Sequence, residues 1–366
     1  MNRNFFGIGL MSGTSMDGVD VSIIKSDGEK YLELIDDMYI KYDEKLRSSL
    51  NKIIRLCISK KELIKFSKEI KDIESEITLY HAKAFDLITK KNKGIKIDIV
   101  GFHGQTVLHK PQKGYSIQIG DPNLLAKLTK TKVVSNFRNN DIANGGQGAP
   151  ITPLYHQLIL NKIKLDFPSA IVNIGGISNI TYVEKNNIIS FDTGPGNFLI
   201  DQWIKQNTKQ EYDKDGLIAK SGKINEKLLN KFFLNPYYKK NYPKSLDVKD
   251  LNFQSLNQLD FKDGAATLSM LTVKSIHLAL NFFKTYPKQI LFAGGGRKNK
   301  FIINNIKKLI SKCSVNLIDE YNFNGDFIES QAFAYLAIRS YLNKYITLPS
   351  TTGVKKNCLG GSIFNI

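Results

Sequence analysis

The sequence predicts an α/β protein built from two halves, each opened by a glycine-tipped β-hairpin. Three observations carry that expectation. Residues 5–10 form an apolar run, small and hydroxylated residues follow, and then Val19, Val21 and Ile23 alternate, which reads as strand, turn, strand. In the second half, residues 170–174, 175–179 and 180–183 repeat that plan. The 366 residues also exceed what one core ordinarily holds.

The elements follow in order. After the first hairpin, residues 31–40 continue the sheet, and the pattern turns helical from Lys45. Ser59-Lys60-Lys61-Glu62 is a capping box, and Leu63, Phe66, Ile70, Ile73, Ile77, Tyr80, Ala84 and Leu87 follow at spacings of three and four. One long amphipathic helix ending near Gly94 is expected there. Residues 95–100 read as a strand running into Gly101-Phe102-His103-Gly104-Gln105-Thr106 at its end. A strand at 116–119, a helix at 122–128 and a strand at 133–134 complete the first half. The glycine-dense segment 141–150 falls where a first domain should close, so the expected division is 1–137 and 138–366. The last helix and tail are left free to cross back to the first domain. In the second half, residues 188–191 lead to Asp192-Thr193-Gly194-Pro195-Gly196-Asn197 and a helix at 198–205. Residues 289–292 lead to Gly294-Gly295-Gly296 and a helix through Ile310, then a strand at 315–318 and an Ala-rich helix at 329–345.

Composition narrows the class. The three cysteines are isolated and the five histidines scattered, so neither a disulfide framework nor a zinc site is expected. No signal peptide and no membrane span is read, and a reduced, cytoplasmic setting fits. The net charge of +18 raises the question of nucleic acid, but the lysines are spread along the whole chain with no basic tail or aromatic-interleaved stripe. The charge therefore reads as solvated surface, with a mild benefit for an anionic substrate; no nucleic-acid or membrane partner is expected.

The chemistry concentrates at glycine turns. Gly13-Thr14-Ser15-Met16-Asp17-Gly18-Val19-Asp20 offers backbone amides and hydroxyls that can cradle a phosphate arriving with a metal ion. Gly175-Gly176 and Gly294-Gly295 follow strands in the same way, and three such turns make nucleotide binding the leading reading. Asp192 is the sharpest catalytic candidate. It precedes a forced turn, where a carboxylate can accept a proton or hold a water; Thr193 or Asn197 can do the competing job of capping the helix. Glu329 is weaker, since an acidic first helical turn equally compensates the helix dipole. His103 and Gln105 offer the hydrogen bonds that a sugar site requires. Arg138, Asp141 and Gln147 give their segment more specific chemistry than a bare linker needs.

Taken in order, segments 9–20, 101–106, 141–150, 173–179 and 192–197, with Leu348-Pro349 and Thr352-Gly353, resemble the anhydro-N-acetylmuramic acid kinases. That resemblance implies the actin-like fold of the sugar-kinase ATPases, two α/β domains that each hold a five-stranded mixed sheet. It implies conversion of 1,6-anhydro-N-acetylmuramic acid, ATP and water into N-acetylmuramic acid 6-phosphate and ADP, in cell-wall recycling. It also implies roles for residues. Asp192 would activate water and Glu329 would orient sugar or water. Residues 13–20 and Gly175-Gly176 would hold the phosphates, and Gly294-Gly295 the adenosine. His103, Gln105, Arg138 and Asp141 would line the sugar, Arg138 facing the lactyl carboxylate. Mg2+ is implied with ATP; Asp17 is an outer-sphere candidate, but no metal ligand set is assigned. Pairing as a homodimer stays open. The rival readings are an actin-like ATP-binding scaffold without sugar dependence, and a kinase of another small sugar or carboxylic acid.

Overall fold

The computed structural model describes residues 3–185, 187–247, 256 and 258–366. The chain divides into two compact units, Met1–Lys162 with Phe327–Ile366, and Ile163–Asp326. The boundary expected at 137/138 thus lies inside the first unit, which also takes in the last helix and tail.

The first unit begins with three antiparallel strands, β1 (Phe5–Ser12), β2 (Gly18–Ser26) and β3 (Leu32–Lys41). Helix α1 (Glu44–Leu56) is capped by Asp43, whose carboxylate accepts from the Leu46 amide at 2.8 Å. The long helix expected next is two. Ser59 caps α2 (Lys60–Lys65), the chain breaks its helical geometry at Phe66, and α3 (Ser67–Lys91) follows. The three-and-four spacing runs unbroken across that joint, so the pattern could not reveal it. Strand β4 (Ile99–Lys110) lies parallel to β1, β5 (Tyr115–Ile119) folds back on β4, and β6 (Val133–Ser135) lies parallel on its other side. Between them, Asp121 caps α4 (Pro122–Thr129), with Pro122 at the first helical position. Helices α5 (Asn139–Ala143) and α6 (Pro153–Ile163) follow.

The second unit repeats the plan. Strands β7 (Ser169–Ile174), β8 (Ile177–Glu184) and β9 (Asn187–Pro195) are antiparallel neighbours. After α7 (Phe198–Asn207), α8 (Leu217–Ser221) and α9 (Glu226–Phe232) comes the central α10 (Phe261–Ala279), capped by Asp260. Strand β10 (Gln289–Ala293) lies parallel to β7, and after α11 (Lys300–Leu309) strand β11 (Ser314–Leu317) lies parallel to β10. The lysine-rich insert near 235–252 is described as far as residue 247; the rest of it lies outside the described residues.

The chain then returns to the first unit with α12 (Ile328–Tyr341), α13 (Pro349–Thr352) and β12 (Ser362–Phe364), which pairs antiparallel with β6. Sheet order is β12-β6-β4-β1-β2-β3, with β5 on β4, in one unit and β11-β10-β7-β8-β9 in the other. The first sheet therefore has seven strands where five were expected. Without β5 and β12 the two orders and strand directions coincide, so the doubling inferred from the hairpins is a doubling of topology.

Alternation assigns the faces. Ile8, Leu10, Val19, Val21 and Ile23 pack into one core with Leu46, Ile53, Ile73, Ile77 and Phe85 of α1 and α3. Gly7, Gly9 and Gly101 point the other way, and there α12 lies directly on the backbone. A Cβ on Gly9 would sit 1.8 Å from the Ser330 carbonyl oxygen, and one on Gly101 2.2 Å from that of Phe333. In the second unit Val172, Ile180, Phe191, Trp203, Leu268 and Ile290 form the core. Gly264 of α10 leaves room for the Trp203 ring, whose N–H donates to the Phe261 carbonyl at 2.8 Å. Among the described residues no helix is long and apolar enough to cross a membrane.

Candidate active site

In the first unit the opening turn is fixed from below. The Tyr42 hydroxyl donates to Ser12 Oγ at 3.0 Å, and Ser12 donates to Gln105 Oε1 at 2.7 Å. Gln105 Nε2 donates in turn to the carbonyls of Gly13 at 3.2 Å and Thr106 at 3.4 Å. Burial pushes the Tyr42 phenol up, which keeps it a donor. Gln105 thus spends its amide pinning the turn to β4. In the turn, the Met16 amide closes on the Gly13 carbonyl at 3.2 Å with Met16 at φ 54°. Ser15 Oγ donates to Asp17 Oδ1 at 2.6 Å, and the Tyr39 hydroxyl donates to the Asp17 carbonyl at 2.8 Å. Thr14 and Ser15 are exposed, whereas Gly18 and Val19 are buried in β2 and Asp20 lies within that strand. Val19 can offer a ligand only its backbone.

His103 lies inside β4, not at a strand end as expected, because the strand runs on to Lys110. Its Nδ1 donates to the Gly104 carbonyl at 2.7 Å, which leaves Nε2 to accept from Arg138 Nη2 at 3.0 Å. Burial, seconded by the Arg138 charge, holds the imidazole pKa well below 6.5, so the ring is neutral. Arg138 also donates through Nη1 to the Gly148 carbonyl at 2.7 Å. Glu329 stands in the first turn of α12; burial raises its pKa and the charge of Arg138 opposes that rise. One guanidinium thus influences both a neutral imidazole and a carboxyl group.

Both carboxylate oxygens of Asp141 are engaged within the protein. Oδ1 accepts from the Gly148 amide at 2.7 Å and Oδ2 from Thr352 Oγ1 at 2.5 Å, while the Gln147 amide donates to the Thr352 carbonyl at 2.6 Å. A Cβ on Gly146 would come within 2.1 Å of Oδ1. The glycine-dense segment is therefore a clamped loop, tied by Asp141 to α13, rather than a linker.

In the second unit Asp192 is buried near the end of β9, three residues before the strand stops at Pro195. It does not cap α7; Asn197 occupies that position. Asp192 is tied instead to the segment after α9. Its Oδ2 accepts from the Leu246 amide at 2.8 Å, its own amide donates to the Lys244 carbonyl at 3.1 Å, and its carbonyl accepts from the Tyr237 hydroxyl at 2.5 Å. The glycine turns converge in the same unit. The Gly175 and Gly176 carbonyls accept from the amides of Asn197 at 2.8 Å and Gly196 at 2.9 Å, and Asn197 Nδ2 donates to the Ile174 carbonyl at 3.4 Å. Gly294, at φ 77°, and Gly296 pack on the same strand end, where Cβ atoms would lie 2.4 Å from Asn173 Oδ1 and 2.2 Å from Ile174 Cγ2. Gly294 and Gly296 thus let the turn pack tightly on the end of β7, while a Cβ on Gly295 would meet nothing closer than 3.9 Å.

A family model described as anhydro-N-acetylmuramic acid kinase matches residues 5–366. The chain belongs to that family. Among curated members of the anhydro-N-acetylmuramic acid kinases, that of Pelagibacter ubique (strain HTCC1062) is 46% identical over 370 residues, which cover 99% of this chain and 98% of the relative. That of Zymomonas mobilis subsp. mobilis (strain ATCC 31821 / ZM4 / CP4) is 39% identical, covering 98% and 99%. That of Agrobacterium fabrum (strain C58 / ATCC 33970) is 38% identical, covering 97% of each. Each unit holds one mixed sheet, in line with the two-domain α/β plan expected from the sequence.

Sequence reasoning passed over two features of the candidate site. Arg297 follows the three glycines directly. It grips Asp319 with two bonds, at 2.6 and 2.8 Å, reaches Asp326 at 2.6 Å, and donates to the Gly294 carbonyl at 3.0 Å. An arginine directly after a run of three glycines was the available signal. Lys244 and Tyr237, which embrace Asp192, lie more than forty residues along the chain, and no local pattern links them to it.

Proposed function

We propose that the chain is an ATP-dependent kinase that opens 1,6-anhydro-N-acetylmuramic acid with water and phosphorylates the released O6. The observation that carries this reading is the family match over residues 5–366, which contains every residue named for the site. The chemistry balances with one base. Water gives a proton to the Asp192 carboxylate as its oxygen bonds to the anomeric carbon, and the bond from that carbon to O6 breaks. O6 takes the γ-phosphoryl group, and ADP leaves with the former bridging oxygen. A positioned base contributes about 10²–10⁴-fold to such a step. Glu329, whose pKa is raised by burial, orients the sugar or the water. Arg138 contacts the carboxylate of the sugar, and His103, both of whose nitrogens are bonded within the protein, holds the guanidinium in place. Gln105 and Asp141 act one step back, holding the opening turn and the clamped loop that carry the contacts.

ATP fits the residues present. Exposed Thr14 and Ser15, with Gly13 before them, supply donors for phosphate oxygens; Gly175 and Gly295, where a Cβ would meet nothing closer than 3.4 and 3.9 Å, leave backbone open to the rest of the nucleotide, and Gly176 and Gly294 belong to the same turns. Among the described residues no group of three or more His, Cys, Asp or Glu could cage a metal. That suits Mg2+ carried in on the phosphates, which commonly needs only one or two carboxylates; Asp17 is the candidate there. Magnesium supplies charge neutralisation on the phosphates when bound.

The test uses Mg-ATP, 1,6-anhydro-N-acetylmuramic acid and isotopically heavy water, with mass spectrometry of the products. A sugar phosphate carrying one heavy oxygen at the anomeric carbon is expected, and Asp192→Asn should retain ATP binding and form none. ATP consumption without heavy oxygen in the sugar would replace this reading with a plain ATPase or another substrate.

A further inference from the structure

Lys244 is a buried cation without a carboxylate in hydrogen-bonding contact among its described interactions. It is 2% exposed, its Nζ donates to the Tyr237 carbonyl at 3.2 Å, and three rings surround it. The Nζ lies 4.3 Å from the centroid of Phe282, 4.8 Å from that of Tyr237 and 5.5 Å from that of Phe191. Burying an ammonium is costly, and stacked ring faces recover part of that cost by cation–π attraction. Burial, with Lys240 adding and Asp192 opposing, pulls the Lys244 pKa down to about 8. A methionine or leucine would fill such a cage at lower cost, so the charge calls for a reason.

The backbone around this cation supplies one. Residues 237–246 form a strap over β9 that meets Asp192 at three points, through the Tyr237 hydroxyl, the Lys244 carbonyl and the Leu246 amide. Phe191, one wall of the cage, directly precedes Asp192 in β9. The ammonium therefore joins the strap to the strand beside the carboxylate that it holds.

We propose that Lys244 is a positioning residue for Asp192: its caged ammonium locks the strap so that the Leu246 amide keeps the carboxylate aimed for proton abstraction. This rests on Asp192 being the base, as argued above. The residue touches no reacting atom; it acts through the strap, beside the direct effect of its charge on Asp192.

The test compares Lys244→Met, Lys244→Arg and Asp192→Asn in the full-length enzyme, with rates per folded molecule established by circular dichroism and melting temperature. Lys244→Met keeps the cage filled and removes the charge. Its kcat should fall about 10–100-fold, as small misplacements of a catalytic group do, with KM for ATP and sugar held within about three-fold. Lys244→Arg, which keeps a cation among the rings, should recover most of kcat. Unchanged kcat per folded Lys244→Met molecule, or equal losses in the Met and Arg variants, overturns the proposal. Should Lys244→Met not fold, Phe282→Leu removes one wall of the cage without touching a group bonded to Asp192. A kcat loss at constant KM there supports the proposal, and an unchanged kcat overturns it. Asp192→Asn separates the two readings. Full activity in that variant defeats the assignment of the base itself, whereas an inactive Asp192→Asn beside a normal Lys244→Met removes only the role of Lys244.

Discussion

Arg138 does three jobs with one guanidinium. It bonds His103 and the Gly148 carbonyl, and its charge reaches Glu329. Replacing it with methionine should raise KM for the sugar about 10–100-fold, the worth of a charge-assisted hydrogen bond. Steady-state kinetics with the sugar varied checks this, and an unaltered KM would remove Arg138 from the sugar site. His103 belongs to a second group of effects. His81, His103 and His156 are all buried neutral in the first unit, with burial pulling His81 to about 4 and His156 to about 3. Unfolded histidine takes its proton near pH 6.5, so between there and the folded values the unfolded chain binds more protons. Their contribution is complete above pH 6.5 and is lost as the pH falls toward 4. For His81 alone, the step from 6.5 to about 4 corresponds to about 3 kcal/mol. Melting temperature should therefore drop steeply between pH 6.5 and 4.5; a level profile there would refute the assignment. Asp192 was legible as a catalytic candidate from its neighbours alone, because few reasons other than capping put a carboxylate before a forced turn. Arg138 was legible too, but its bonds to His103 were not, since they join residues 35 apart in sequence.

At the scale of elements, the deciding contact is α12 lying on glycine backbone. Gly9 and Gly101 are register partners on β1 and β4, and neither has room for a methyl group. Gly101→Ala should destabilise the protein by at least about 1–3 kcal/mol, the usual cost of overpacking. It should also lower kcat, because the first turn of α12 carries Glu329. Asp86→Ala, at an exposed position of α3, is the control. Denaturant melts of both, with kcat measured per folded molecule, check the prediction; equal stability of the two variants would count against the bed. The strands were easy to read because alternation and apolar runs mark them. The glycines of β1 were not read as a helix bed, since the partner helix lies over 300 residues away. Helices α6 and α10 went unread because they are apolar nearly all round, with buried residues on every face and no amphipathic stripe to count. Strand β4 was read too short because glycine usually ends a strand, yet here it thins one so that a helix can approach.

For the whole molecule, doubling of topology without doubling of sequence means that the two units share a plan but not their side chains. Sugar-facing candidates gather in the first unit, while the proposed base and the convergent glycine turns lie in the second. The plan itself was visible in the paired hairpins; the two extra strands of the first sheet were not, since β12 is three residues of tail. The net charge of +18 acts on every anionic ligand at long range. Raising salt from about 0.05 to about 0.5 M shortens the reach of that field to a few ångströms and should lower kcat/KM for ATP several-fold at constant kcat. A flat response would mean that the charge serves solubility alone.

The split of the first unit, with 1–162 on one side of the second and 327–366 on the other, fixes an order of birth on the ribosome. The strands made first wait, one face bare over Gly9 and Gly101, while the whole second unit is translated and can close on itself. Only when the nascent chain has delivered α12 is that face covered, and only β12 finishes the sheet's edge. β1, among the earliest segments to leave the ribosome, thus waits longest for one of its neighbours. Glu329 arrives on the closing piece, so the proposed site is completed only once nearly all of the chain has been synthesised.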